Sequence, residues 1–176
     1  MERFDVIIIG AGMTGCMLAR ELSFYRVDVA VMEKSSYVCG GQSKANGAII
    51  HGGHDPEPGT FKARMNLEGN AAFQGLCEEL GVSFHRTGIW VIAFDGTELA
   101  VLRELLARGE INGVKGLRLI GPEEIRKAEP AVSRRAVAAL SIPTGGIVDV
   151  HRLVIALAEQ AAVNGCRFFL EEQVVG

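Results

Sequence analysis

The sequence predicts an α/β fold built on a parallel sheet, and three observations carry that reading. "FDVIIIG" (4–10) is a β-branched run ending in glycine, the texture of a buried parallel strand. "MTGCMLARELSFY" (13–25) sets Met13, Cys16, Met17, Leu18, Leu22 and Tyr25 on one helical face, and "VDVAVME" (27–33) is a second strand ending in an acid. Strand, helix and strand thus fit within about 30 residues, the span of a right-handed βαβ unit.

The turn inside that unit reads Gly10-Ala-Gly12-Met-Thr-Gly15, a G-x-G-x-x-G pattern that follows a strand and opens a helix. Each glycine has a mechanical part: Gly10 for the tight turn, Gly12 for close backbone approach to a pyrophosphate, Gly15 for close packing of helix on sheet. The helix N-terminus offers free N–H groups and partial positive charge to phosphates. Glu33, at the end of the next strand, can accept bonds from both hydroxyls of an adenosine ribose and would repel a 2′-phosphate, which disfavours NADP. The unit is therefore Rossmann-like, with Gly10, Gly12, Met13, Thr14, Gly15, Glu33 and Lys34 as candidate cofactor contacts. These residues do not decide between NAD and FAD. The polar run Ser43-Lys44-Ala45-Asn46 supplies donors that a cofactor extending past its pyrophosphate into a ribityl chain and flavin would need; a flexible turn is the alternative.

"TFKARMNLEGNAAFQGLCEEL" (60–80) reads as a long amphipathic helix with Phe61, Met65, Leu67, Ala71, Ala72, Leu76 and Leu80 on its apolar face, stopped by Gly81. A strand (88–94), a helix (97–113), a short strand (116–120), a short helix with proline first and acids in its first turn (121–130), and a strand (136–143) follow. A helix (149–165) and a strand (166–175) then return to the first layer. The expected division is a nucleotide-binding layer at 1–80, an inserted α+β segment at 81–146 and a return at 147–176, leaving a parallel sheet unfinished. Its open edge and apolar surface predict self-association or partner binding.

Composition sets limits. A chain of 176 residues that is 48% hydrophobic and 22% charged is that of a globular protein, and its net charge of −3 gives no basis for binding nucleic acid. Val6–Ile9 is too short for a signal-peptide core or membrane span. Cys16, Cys39, Cys77 and Cys166 show no C-x-x-C spacing, which argues against zinc or a disulfide framework and fits a reducing cytoplasm. His51 and His54 with Asp55 could begin a metal site, but no further histidine–cysteine cluster completes it, so no metal is expected.

Four stretches, "DVIIIGAGMTGCMLARELS", "GGQSKANGAIIHGGHDPEPGTFKARMNLEGN", "LCEELGVSFHRTG" and "IPTGGIVDVHRLVIALAEQAAVNGCRFF", resemble the FAD-dependent glycerol-3-phosphate dehydrogenase/oxidase family, in the branch near L-2-hydroxyglutarate oxidases. The S-K-A-N…I-H-x-G-x-D-P segment is the most specific part of that resemblance. Gln42 stands where the family often has threonine, and His54 where this branch often has tyrosine. The resemblance implies a glutathione-reductase-like two-domain flavoprotein, of which this chain looks like an N-terminal portion. It also implies FAD as cofactor, with the flavin-side loop at Ser43, Lys44, Ala45 and Asn46 and the adenine near the backbone of Val174.

His51 falls on the family's active-site histidine, carried toward the flavin by a short buried rung, 48–50, with Gly52 and Gly53 leaving room for substrate. The implied reaction moves a hydride from a small anionic hydroxy compound, glycerol-3-phosphate or a 2-hydroxy acid, to the flavin while His51 takes the hydroxyl proton. The electron acceptor stays open among quinone, oxygen and a partner protein. The implied location is cytoplasmic, or peripheral to the inner face of the membrane in a full-length parent. An amine or amino-acid oxidase of related fold, and a nucleotide-binding module inactive by itself, are the competing readings.

Overall fold

The structure, a computed structural model, describes residues 2–175. In chain order its elements are β1 (Val6–Ile9), α1 (Met13–Leu22), β2 (Val29–Glu33), β3 (Ile49–Ile50), α2 (Phe61–Leu80), β4 (Phe84–His85), β5 (Ile89–Ala93), α3 (Gly96–Ile111), β6 (Arg118–Ile120), α4 (Pro122–Ala128), β7 (Ala138–Ile142), β8 (Gly146–Val148), α5 (Val150–Val163) and β9 (Arg167–Leu170), with a 3-10 turn at Gln42–Lys44. Every strand and helix read from the sequence is present. β3 falls within the rung expected at 48–50, and the short rungs β4 and β8 are additional. The chain divides into two compact units. One takes the chain up to Ala48, Cys77–Ser83 and the segment from Val148 onward; the other takes Ile49–Leu76 and Phe84–Ile147. The 1–80 stretch thus contributes to both.

The first unit is a parallel sheet in the order β1-β2-β9, with Ile8 opposite Val31 and Met32 opposite Phe169. Helices α1 and α5 pack on each other, and α5 buries Leu153, Val154, Leu157 and Ala161. The buried stripe of α1 is Cys16, Ala19 and Arg20, whereas Leu18 and Tyr25, expected on that face, are 46% and 71% exposed. Small residues set the phase because they allow a close helix–helix approach. The buried Arg20 is satisfied on all sides: Nε donates to Gln160 at 2.5 Å, and Nη1 and Nη2 donate to Glu21 and Glu79 at 2.6 Å each. Charge-assisted bonds of this kind offset the cost of removing a guanidinium from water.

Strand β9 ends at Leu170, short of the expected 175, because the chain turns at Glu171 (φ +60°) and the Glu171 and Glu172 amides donate to the carbonyls of Ser35 and Glu33. On β1, Ile7 and Ile9 remain 59% and 70% exposed.

The second unit contains an antiparallel sheet in the order β5-β7-β6 and a small ribbon in the order β3-β8-β4. Alternation along β7 sends Ala138, Leu140 and Ile142 to a core shared with Leu102 of α3, and Ala139 to one shared with Ile120 and Ile125. Trp90 packs on the latter. Asp95 caps α3 by accepting from the Glu98 amide, and Pro122 opens α4 as its sequence predicts.

The apolar face expected for α2 is out of phase. Phe61 is 68% exposed and Met65 37%, whereas the buried positions are Ala63, Asn70 and Cys77. No helix among the described residues is long and apolar enough to cross a membrane.

Leu157, with no exposed surface, sits at the centre of the α5 stripe. Leu157→Ala is expected to destabilise the chain by about 2–5 kcal/mol, measured as a lower urea midpoint at unchanged slope.

Candidate functional site

The end of β1 runs into Gly10, whose φ of +99° turns the chain while its amide donates to the Met32 carbonyl at 2.8 Å. Helix α1 begins two residues past Ala11 with Gly12 as an N-cap that carries no side-chain cap, and its first turn holds no acid. A Cβ on Gly15 would lie 1.9 Å from the Gly10 carbonyl oxygen, so only glycine lets the helix start this close to the strand end. The Met13 amide donates to Ser43 Oγ at 2.9 Å, which ties the 43–46 loop to the helix N-terminus. The result is a helix dipole facing bare backbone, the chemistry of an anion cradle.

Glu33 closes the cradle on its β2 side. It is 8% exposed, and its carboxylate accepts from the Ala11 amide (Oε2, 2.8 Å) and the Ser35 amide (Oε1, 2.9 Å). Burial pushes its carboxyl upward, but the bonds from Ala11 and Ser35, with Lys34 beside it, outweigh burial and hold it below its ordinary value. A cleft of ≈ 330 Å³ lies over this carboxylate, with Gly10, Lys34, Gln173 and Val174 on its walls. The Glu172 amide, bonded to the Glu33 carbonyl at 3.0 Å, brings Val174 there.

Two cysteines back the cradle. The Ala11 carbonyl accepts from the Cys39 amide at 2.8 Å and from Cys16 Sγ at 3.4 Å. Burial first, then Cys39 and Glu33, push the Cys16 thiol up to about 12, which makes it an inert packing group. All four cysteines are buried free thiols. In the exposed 43–46 loop, Lys44 Nζ donates to the Tyr37 hydroxyl at 2.8 Å, and Asn46 closes the loop on itself through Ser43 O (2.6 Å) and the Ala48 amide (2.8 Å).

His51 belongs to the second unit. It directly follows β3, which pairs with β8 through Ile49–Ile147 and Ile50–Gly146. The rung is not buried as expected: Ile49 is 49% exposed, since two residues paired on one edge cannot cover their own side chains. The imidazole of His51 is exposed. Gly52 and Gly53 do not leave open space, as expected, but are buried. A Cβ on Gly52 would meet Ile142 Cγ2 at 2.3 Å, and one on Gly53 would meet Leu67 Cδ2 at 2.6 Å, so both serve close backbone packing.

The loop carbonyls are bound by side chains from elsewhere in the unit. Asn70 donates to His51, Thr144 to Gly52, Asn112 to Gly53 and Pro56, and Arg108 to Asp55. His54 is 5% exposed with Nδ1 unpartnered, and burial pushes its pKa down. Among the described residues no group of three or more His, Cys, Asp or Glu could hold a metal ion.

Sequence reasoning missed Ser35, Asn70 and Thr144. For Asn70 a signal existed: Ala63, Asn70 and Cys77 recur every seven residues, a stripe on one helix face with a polar member.

A family profile described as DAO, FAD dependent oxidoreductase, matches residues 5–176. The chain is 46% identical over 172 residues to a glycerol 3-phosphate dehydrogenase of Caloramator mitchellensis, covering 98% of this chain and 36% of that protein. It is 33% identical over 175 residues to the mitochondrial L-2-hydroxyglutarate dehydrogenase of Homo sapiens, covering 98% of this chain and 37% of that one. Among solved structures, the dithionite-reduced L-alpha-glycerophosphate oxidase of Mycoplasma pneumoniae with FAD bound superposes with a TM-score of 0.95 at 31% identity, over 99% of this chain and 46% of the oxidase. The chain spans less than half the length of each.

Because its folded value is lowered, the Glu33 carboxylate contributes stability that is present above its ordinary value of 4.5 and is lost as pH falls through the lower folded value. Urea unfolding at a series of pH values below 4.5 is expected to show the parent chain losing stability more steeply than Glu33→Gln. Parallel slopes would contradict this.

Proposed function

The chain belongs to the FAD dependent oxidoreductase family, and from that membership we propose that it acts on a small anionic hydroxy compound, glycerol 3-phosphate or a 2-hydroxy acid, with His51 as the base. The observation that carries the catalytic reading is His51 itself: an exposed residue that follows the paired rung β3 and whose carbonyl Asn70 holds.

The residues present suit FAD. A dinucleotide pyrophosphate fits the N-terminus of α1, where Gly10, Gly12 and Gly15 bring no side-chain bulk and Met13 and Thr14 supply first-turn backbone. The ionised, backbone-anchored carboxylate of Glu33 keeps lone pairs free for ribose hydroxyls, with Lys34 beside it and Val174 across the cleft for the adenine. Ser43, Lys44, Ala45 and Asn46 are the flavin-side loop in this reading. When bound, FAD supplies the two-electron acceptor for a hydride leaving a substrate carbon.

The protein's own contribution is proton removal and orientation. Oxidising an alcohol carbon to a carbonyl releases the hydroxyl proton as the C–H hydride departs, and an imidazole nitrogen of His51 takes that proton. The similarity to dehydrogenases named for glycerol 3-phosphate and for 2-hydroxyglutarate supports this substrate class over amines. A cytoplasmic setting belongs to the same reading and is supported by the four free thiols.

In the complete FAD-loaded enzyme, His51→Gln is expected to slow substrate-driven flavin reduction by about 10²–10⁴-fold with FAD affinity retained. Stopped-flow bleaching of the flavin reads the rate, and reduction at the parent rate would defeat the assignment.

Self-association of this chain through its first-unit sheet is the second part of the proposal, supported by the exposed Ile7 and Ile9. Sedimentation velocity across a concentration series is expected to show a rising average mass that Ile9→Glu suppresses. A strictly monomeric parent chain would count against it.

A further inference from the structure

We propose that Asn70 is the positioning residue for His51, acting through the backbone carbonyl of the histidine; this rests on the reading of His51 as the base. Asn70 is 9% exposed, and an asparagine within a helix brings no apolar area to a core. Its amide is fully engaged. Nδ2 donates at 2.9 Å to the His51 carbonyl and at 2.9 Å to the Thr144 carbonyl, one hydrogen for each, while Oδ1 accepts from Arg86 Nη1 at 3.1 Å. A flipped amide would set an oxygen against two carbonyls and an NH₂ against a guanidinium, so the network admits one orientation.

The same contacts extend one residue further. Arg86 Nη1 also donates to the Thr144 carbonyl at 2.5 Å, and Thr144 Oγ1 donates to the Gly52 carbonyl at 3.2 Å. Consecutive carbonyls, those of His51 and Gly52, are therefore gripped from α2 and from the turn between β7 and β8. Gly52 is bare because Ile142 and Thr144 fill the place of its Cβ. The bonds that reach residues 51 and 52 are to their main-chain carbonyls, and neither restrains the imidazole directly. Asn70 thereby fixes the point from which the His51 side chain projects and leaves its torsions free. A base displaced by about 1 Å can lose on the order of 10²-fold in rate, so a backbone tether at this residue has catalytic reach.

The test compares Asn70→Ala, Asn70→Asp, His51→Gln and the Asn70→Ala/His51→Gln double variant in the complete FAD-loaded enzyme. Asn70→Asp keeps the size and the acceptor for Arg86 while removing the donating amide, and it serves where Asn70→Ala fails to fold. Each Asn70 variant is expected to lose about 10²-fold in flavin reduction at saturating substrate, with the half-saturating substrate concentration changed less than about threefold. Amide exchange in residues 49–53 is expected to quicken while β7 keeps its protection. The double variant is expected to be no slower than His51→Gln alone, because removing the positioned group removes what Asn70 acts through. Multiplied losses in the double variant, a parent-like reduction rate in both Asn70 variants, or unchanged exchange at 49–53 would overturn the positioning role and leave the base intact. Parent-like reduction by His51→Gln would overturn both.

Discussion

The carboxylate of Glu33 is the constraint on which the nucleotide-binding unit depends. It ends the central strand β2, and its two oxygens reach the Ala11 amide in one loop and the Ser35 amide in another. The Glu33 carbonyl takes the Glu172 amide, while the Ala11 carbonyl takes Cys39 and Cys16. Three chain segments, 11–16, 33–39 and the turn at 172, are thus arranged around one buried anion. Burying a carboxylate is costly, and charge-assisted bonds from backbone amides are what make it sustainable. These bonds favour the ionised form, so the interactions that shape the turn also hold an acceptor ready beside the cleft. In the proposed function the helix start, which has no side-chain cap and no acid in its first turn, completes the pair, its dipole serving phosphate and the carboxylate serving hydroxyls.

What was legible in the sequence is what is decided locally. Gly10, Gly12 and Gly15 act within one turn, and their spacing alone announces it; Pro122 and Asp95 mark helix starts by the same logic. Long helices and the strands of the sheets β1-β2-β9 and β5-β7-β6 carry their own periodicity. The face of α2, and part of that of α1, differ from the periodicity for one physical reason. Large apolar residues dominate a periodicity count, but Ala19 on α1, and Ala63, Asn70 and Cys77 on α2, are buried. The rungs β4 and β8 are two or three residues long, too brief for a period, and exist only through remote partners. Gly52 and Gly53 were read as open space for the same lack of a local signal, since Ile142, Thr144 and Leu67 fill it from distant parts of the chain.

The loop from His51 to Pro56 shows how an irregular segment becomes rigid. It has no ladder to satisfy its carbonyls, and buried backbone acceptors without partners are costly. Side chains do the work of a neighbouring strand: Asn70, Thr144, Asn112 and Arg108 bind the carbonyls of His51, Gly52, Gly53, Asp55 and Pro56. The two histidines of this loop then diverge by environment alone. His54 is driven into the protein, where Gly109 gives way to it, since a Cβ there would lie 3.2 Å from His54 Cα, and its burial disfavours the charged form. That imidazole is packed inside the unit rather than presented to solvent. His51 is exposed on a backbone whose carbonyl is held by Asn70, which in the proposed reaction leaves side-chain torsion as its softest coordinate. In the proposed reaction a base so mounted would meet a substrate proton without the loop itself having to reorganise, and the carbonyl grip of Asn70 would set the point from which the ring projects.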